Sequence, residues 1–87
     1  MKGKEITEVI DALIRKVNDR DTKLDNKVLD EVKSNVDKMS KIIGEDKNFR
    51  ELNKFVEAAR EENDLVKRDN FKMPILNGLH KIYDKVT

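Results

Sequence analysis

The 87-residue sequence has no cysteine, no tryptophan, one proline and three glycines. Without cysteine, the chain has no disulfide, no thiolate nucleophile and no thiolate ligand for zinc. No apolar run approaches the roughly 18 residues that a membrane-spanning helix needs, and the N-terminus lacks the apolar core of a signal peptide. We therefore expect a cytoplasmic protein without a membrane span.

A large charge of one sign is also missing. Charged residues make up 43% of the chain, but 19 Lys and Arg face 18 Asp and Glu. This balance lacks the basic excess of a dedicated nucleic-acid binder, so no nucleic-acid partner is expected. The length suits one domain over residues 1–87, and the 37% of hydrophobic residues can fill a small core without disorder.

Apolar residues recur at intervals of three and four in separate segments, a spacing typical of amphipathic helices. The pattern predicts helices over residues 5–18, 25–43, 46–67 and 74–86. No segment alternates with period two, so no strand is predicted. Four such helices joined by short loops can share one core, and we predict an all-α antiparallel four-helix bundle. Its core is expected to contain Leu13, Val32, Val36, Leu52, Phe55, Val56, Leu79 and Ile82.

Polar residues and glycine mark the first two connections. The stretch from Asn18 to Lys23 has no apolar residue and predicts a loop. Asp25 is the expected N-cap of the second helix, with Leu24 and Leu29 as a hydrophobic staple, and Thr22 or Asp21 are alternative caps. Gly44 is expected to end this helix in a left-handed conformation. Asp46 should cap the third, where Glu45 adds favourable negative charge.

The end of the third helix admits two interpretations. Asn63 falls on the apolar stripe, where a buried asparagine would fix helix register, within the weakly apolar run Arg60–Asp64. We favour one continuous helix to about residue 67, and the alternative is a break near Asn63. Residues 69–73 are predicted as a loop, and Pro74 as the first residue of the last helix.

No pattern indicates catalysis. His80 is the only histidine, and adjacent acids such as Asp30 with Glu31, or Glu61 with Glu62, point about 100° apart on a helix. None of the glycines belongs to a phosphate-binding loop. We expect a protein that is not an enzyme, with no catalytic residue, metal ligand or cofactor.

Charge is unevenly placed along the second half of the chain. Residues 45–70 hold eight acids and six bases, whereas residues 71–87 hold three lysines and one aspartate. The two segments could simply attract one another, and the nearby apolar residues could cap the core. The alternative is a surface for a protein partner. Its candidate residues are Glu61, Glu62, Asp64, Phe71, Met73 and Tyr83.

Four segments stand out by their order along the chain: Glu5–Ile14, Leu29–Val32, Asn48–Leu52 and Pro74–Tyr83. Together they resemble the immunity proteins of class IIa bacteriocins, of the enterocin A immunity type. The resemblance implies a cytoplasmic four-helix bundle that protects a producer cell by acting on the bacteriocin bound to its receptor, the mannose phosphotransferase permease. It also implies that the C-terminal part governs which bacteriocin is recognised. A composition heavy in Lys, Asn and Asp is similar to that of low-GC Gram-positive bacteria and their phages.

Two other functions fit a compact charged bundle. One is a small phage or mobile-element protein that binds and inhibits a host protein through the acidic surface of the third helix. The other is a structural bundle that dimerises through an exposed apolar stripe. The fold alone does not choose among them.

Overall fold

The computed structural model describes residues 3–44 and 46–86. Four long helices follow one another, with a one-turn helix and a 3-10 turn before the last. They are α1 (Gly3–Asn18), α2 (Asn26–Ile43), α3 (Lys47–Glu61), α4 (Leu65–Arg68), the 3-10 turn (Asp69–Phe71) and α5 (Lys72–Val86). No β-strand occurs in these residues, and the predicted all-α fold is confirmed.

Ion pairs between helices show that neighbours run antiparallel. Lys81 of α5 lies 3.9 Å from the Glu51 carboxylate of α3, and Lys85, one turn later, bonds to Asp46 at the start of α3. Likewise Arg60 near the end of α3 pairs with Asp30 near the start of α2. In the resulting bundle α1 packs mainly on α5, α5 on α3, and α3 on α2, while α1 and α2 contact each other less than these three neighbouring pairs do.

All four long helices contribute to one hydrophobic core. Its buried members are Ile6, Ile10, Leu13, Val17, Leu24, Val28, Leu29, Val32, Val36, Met39, Phe49, Leu52, Val56, Ala59, Ile75, Leu76, Leu79 and Ile82. Seven of the eight predicted core residues are among them. Phe55 is not, because its side chain is 37% exposed. It directly precedes buried Val56, and adjacent helical residues point about 100° apart, so Phe55 lies at the edge of the buried stripe.

The predicted connections between the first three helices are confirmed. Asp25 caps α2 by accepting a hydrogen bond from the Val28 amide at 2.9 Å, and Leu24 and Leu29 are both fully buried, as a hydrophobic staple requires. Gly44 follows α2 with φ 102° and ψ 157°, a conformation populated almost only by glycine. The short connection after it brings α3 back alongside α2.

Asp46 caps α3 as predicted, while Glu45 lies outside the described residues. One Asp46 oxygen accepts from the Asn48 amide at 2.8 Å, and the other accepts from the ammonium of Lys85. The bond from Lys85, supported by the amide bond, lowers the pKa of the Asp46 carboxyl below its ordinary value of 3.8. Asp46 therefore joins the start of α3 to the end of α5.

The prediction of one helix to residue 67 is wrong, because α3 ends at Glu61. Asn63 is exposed in the break and is not a buried register residue. The predicted loop over residues 69–73 is also wrong. The chain is already helical at Arg68 (φ −61°, ψ −28°) and Lys72 (φ −57°, ψ −49°), so Pro74 is the third residue of α5 and still in its first turn.

A residue in the core should contribute more to the free energy of unfolding than a residue at the edge of the buried stripe. Replacing fully buried Leu52 with Ala removes packed methyl groups, so we expect a loss of roughly 2–5 kcal/mol in unfolding free energy. Phe55→Ala should cost clearly less than the roughly 3–5 kcal/mol of a buried phenylalanine. Urea unfolding followed by circular dichroism measures both. An equal or larger loss at Phe55 would contradict its placement at the edge.

The Asp46–Lys85 bond predicts a specific pH dependence. Because the folded pKa is lowered, this carboxylate stabilises the fold above its ordinary pKa, and the contribution is lost as the pH falls through the lowered value. Lys85→Gln should raise the pKa of Asp46, measured by NMR titration, and flatten the fall in stability in acid. Lys67→Gln, at an exposed lysine, is the control. An unchanged Asp46 titration in Lys85→Gln would refute the assignment.

Candidate protein-binding site

Arg68 organises the end of the bundle where α3 turns into α5. Its side chain is buried although it is charged, and only 6% of the residue is exposed. The guanidinium donates to three backbone carbonyls: Glu62 at 2.6 Å, Leu24 at 3.1 Å and Arg60 at 3.2 Å. Two of these carbonyls belong to the C-terminal end of α3, where the helix dipole is negative and favours a cation. Arg68 thus fastens α4 to α3 and to the α1–α2 loop.

The break between α3 and α4 is built from short-range hydrogen bonds. Glu62 and Asp64 have extended backbones, with ψ of 119° and 113°. The Glu62 side chain accepts from the Asp64 amide at 3.1 Å, and Asp64 in turn caps α4 by accepting from the Val66 amide at 2.9 Å. These bonds satisfy amides that a continuous helix would have paired internally. The acids therefore have a structural role here.

The predicted site residues fall into two groups. Glu61 and Asp64 are exposed and Glu62 is half-buried, all at the break after α3. Phe71 and Tyr83 are half-buried and pack against the core, whereas Met73 is 63% exposed. The structure thus gives Glu62, Asp64, Phe71 and Tyr83 clear structural contacts. A role of these six residues in partner binding remains a prediction.

A surface depression lies between α3 and α5. Its volume is about 510 Å³, and it is lined by Glu51, Leu52, Lys54, Phe55, Pro74, Asn77, Gly78 and Lys81. Most of its lining surface is apolar, with Phe55 on one wall and Pro74 on the other. Met73 directly precedes Pro74 and is 63% exposed, although it does not line the depression itself. We name this depression the α3–α5 groove.

Gly78 sets the depth of the α3–α5 groove. A Cβ atom at this position would lie 3.1 Å from Cδ1 and 3.3 Å from Cβ of Leu52, which is fully buried. Contacts of this length are tighter than ordinary van der Waals packing, so a side chain here would require Leu52 to shift by a few tenths of an ångström. Glycine lets the two helices approach below the groove, which leaves Phe55 and Pro74 as walls above them.

Charged side chains rim the groove. Lys81 pairs with Glu51 across it at 3.9 Å, whereas Lys54 has no ion-pair partner among the described side chains. Apolar walls with a charged rim are the usual composition of a protein-contact surface. Aromatic and methionine side chains are enriched in such contacts. The arrangement suits a protein or peptide ligand.

The residues that line this groove include no histidine, cysteine or aspartate. Lys and Glu are its only charged groups, and no group of three His, Cys, Asp or Glu residues that could hold a metal ion occurs in the described part of the chain. His80, on α5, is exposed. Within residues 3–44 and 46–86, no helix is long and apolar enough to cross a membrane.

Sequence reasoning missed Phe55 and Lys54 as candidate site residues. Phe55 is predicted in the core because it lies mid-helix on the apolar stripe. The signal that could have found its exposure is the geometry of the stripe: Leu52, Val56 and Ala59 are spaced by four and three, and Phe55 lies beside this row. Pro74 is predicted only as the first residue of a helix.

Comparison of the chain with protein families, with curated proteins and with solved structures finds no match.

Removal of the Arg68 guanidinium should destabilise the bundle end. Arg68→Met keeps the apolar stem but leaves the carbonyls of Leu24, Arg60 and Glu62 without this donor, and we expect a loss of roughly 1–3 kcal/mol. Arg68→Lys should recover only part, because an ammonium cannot match the planar fork of donors. Arg50→Met, at an exposed arginine, is the matched control in urea unfolding. Equal stability of the Arg68 and Arg50 variants would refute this role.

Proposed function

We propose that this protein is a non-catalytic binding protein that gives immunity to a class IIa bacteriocin. In this proposal it acts in the cytoplasm on the complex of the bacteriocin with its receptor, the mannose phosphotransferase permease, and contacts that complex through the α3–α5 groove. The observation that carries the binding role is the groove itself, with Phe55 37% exposed beside Pro74. The bacteriocin assignment comes from the sequence resemblance.

The position of the groove is consistent with the resemblance. The resembled family keeps its specificity in the C-terminal part, and one wall of the groove belongs to α5, the last helix. Exposed aromatic and methionine side chains cost free energy in water, and a partner that covers them regains it. Such contacts concentrate binding energy in a few anchors, so Phe55 and Met73 should dominate over the lysines of the rim.

A second function is favoured by a different surface. On α4, Val66 is 73% exposed and Leu65 is also exposed, directly after the acids Glu61 and Asp64. An apolar pair beside exposed acids suits a basic, partly apolar surface of another protein. This arrangement supports the alternative of a phage or mobile-element protein that inhibits a host protein.

Protection of a sensitive strain tests the immunity proposal. Cells that express the wild-type chain should survive bacteriocin concentrations that kill cells with an empty vector. Phe55→Ala and Met73→Ala should weaken binding by roughly tenfold or more if these residues are anchors, and protection should fall accordingly. Val66→Ala removes an apolar group outside the groove that is more exposed than Phe55 or Met73, and it is the control.

Each outcome distinguishes the proposals, provided that melting temperature and expression are measured for every variant. Loss of protection in folded Phe55→Ala, with full protection by Val66→Ala, supports the groove. Absence of protection by the wild type would reject immunity. Growth inhibition of the host by the wild type, relieved by Glu61→Lys with Asp64→Lys, would support the inhibitor instead.

A further inference from the structure

A second apolar depression lies between α1 and α2, which contact each other less than the other neighbouring helix pairs around the bundle do. Its volume is about 310 Å³, and its lining surface is almost entirely apolar. Val9 of α1 and Met39 and Ile42 of α2 form its apolar walls. Ile42 is 48% exposed, although it is one of the large aliphatic side chains that proteins usually bury. We name this depression the α1–α2 groove.

The two sides of the α1–α2 groove carry opposite charge. Lys38 and Lys41 line it on the α2 side. On the α1 side Glu5 lies four residues before Val9, which places both on one helix face, and Glu8 lies beside them. All four charged residues are exposed, and among the described side chains none of the four has an ion-pair partner.

We propose that a second copy of this chain occupies the α1–α2 groove and forms a two-fold symmetric dimer. A two-fold axis parallel to the helices and in the plane of this face lays α1 of each copy on α2 of the other. Rotation about such an axis leaves the position of each residue along the bundle axis unchanged, and we call this position its height. Lys38, Lys41 and Ile42 lie at the same height as Val9, since all four residues line one groove. Glu5 and Glu8 of one copy then face Lys38 and Lys41 of the other.

Charge and shape both favour a second copy as the occupant. An isologous interface needs a surface that is complementary to itself, and a face with one acidic side and one basic side meets that need. The bundle measures 37 × 22 × 18 Å, so either of its long sides has an area of the same order as the roughly 800 Å² per partner of a standard interface. In the dimer, the Ile42 side chain of each copy enters the groove of the other copy and is no longer exposed to water.

Charge reversal tests this arrangement directly. We would measure mass by sedimentation equilibrium for the wild type, for Glu5→Lys with Glu8→Lys, and for Lys38→Glu with Lys41→Glu. The wild type should be a dimer that dissociates on dilution. Each double variant places like charges opposite each other in both halves of its interface, so each should be a monomer. An equimolar mixture of the two variants restores every opposite-charge contact and should form a heterodimer.

Two further variants locate the interface. Ile42→Ser should weaken the dimer, whereas Val66→Ser, at an exposed valine of α4, should leave it unchanged. Circular dichroism confirms that the variants are folded, as expected for changes at exposed positions. A monomeric wild type at the highest soluble concentration would overturn the proposal. So would a dimer that survives both charge reversals. Phe55→Ala should leave the dimer intact, so dimerisation and the proposed partner binding can fail separately.

Discussion

The buried guanidinium of Arg68 is the interaction on which the second half of the bundle depends. A charged group out of water is costly unless hydrogen bonds replace its hydration, and Arg68 satisfies this condition with three backbone carbonyls. Because those carbonyls come from Leu24, Arg60 and Glu62, the bond set links the α1–α2 loop, the end of α3 and α4. The path of the chain from α3 into α5 is fixed by this link.

The α3–α5 groove follows from where that link places α5. Once α4 is fastened, α5 starts beside the end of α3 and returns along it, and the bond between Lys85 and Asp46 holds the opposite end. Between these two fixed ends, Gly78 has no side chain, and this leaves room for the Leu52 side chain of α3 against α5. Phe55 projects beyond this contact and remains partly in water. The exposed aromatic is thus a consequence of helix placement.

Much of the fold was predictable from local patterns. Asp25, Asp46 and Gly44 act within one turn of their own position, so their effects can be read from neighbouring residues. The helical stripes likewise depend on spacing alone, and seven of the eight predicted core residues are buried. Local chemistry specified the first half of the chain almost completely.

The second half was less predictable because non-local contacts decide it. Nothing in the sequence distinguishes Arg68 from the other 18 Lys and Arg residues, since its acceptors include a carbonyl 44 residues away. Without that contact, the weakly apolar run after Ala59 is compatible with a continuous helix, which is the interpretation that the structure corrects. The groove needs α3 and α5 together, so neither segment alone indicates that Phe55 and Pro74 line one groove.

The two grooves lie on opposite sides of the bundle, and this placement relates the two proposals. Around the bundle, α1 neighbours α5, α5 neighbours α3, and α3 neighbours α2, so the α1–α2 side faces away from the α3–α5 side. A dimer formed through α1 and α2 would therefore leave both α3–α5 grooves open, pointing in opposite directions. A rigid dimer with two outward sites binds with avidity only where several copies of the partner are held together, as in an assembly or on a crowded surface. A monomeric soluble partner would bind each groove independently, with no change in affinity on dimerisation.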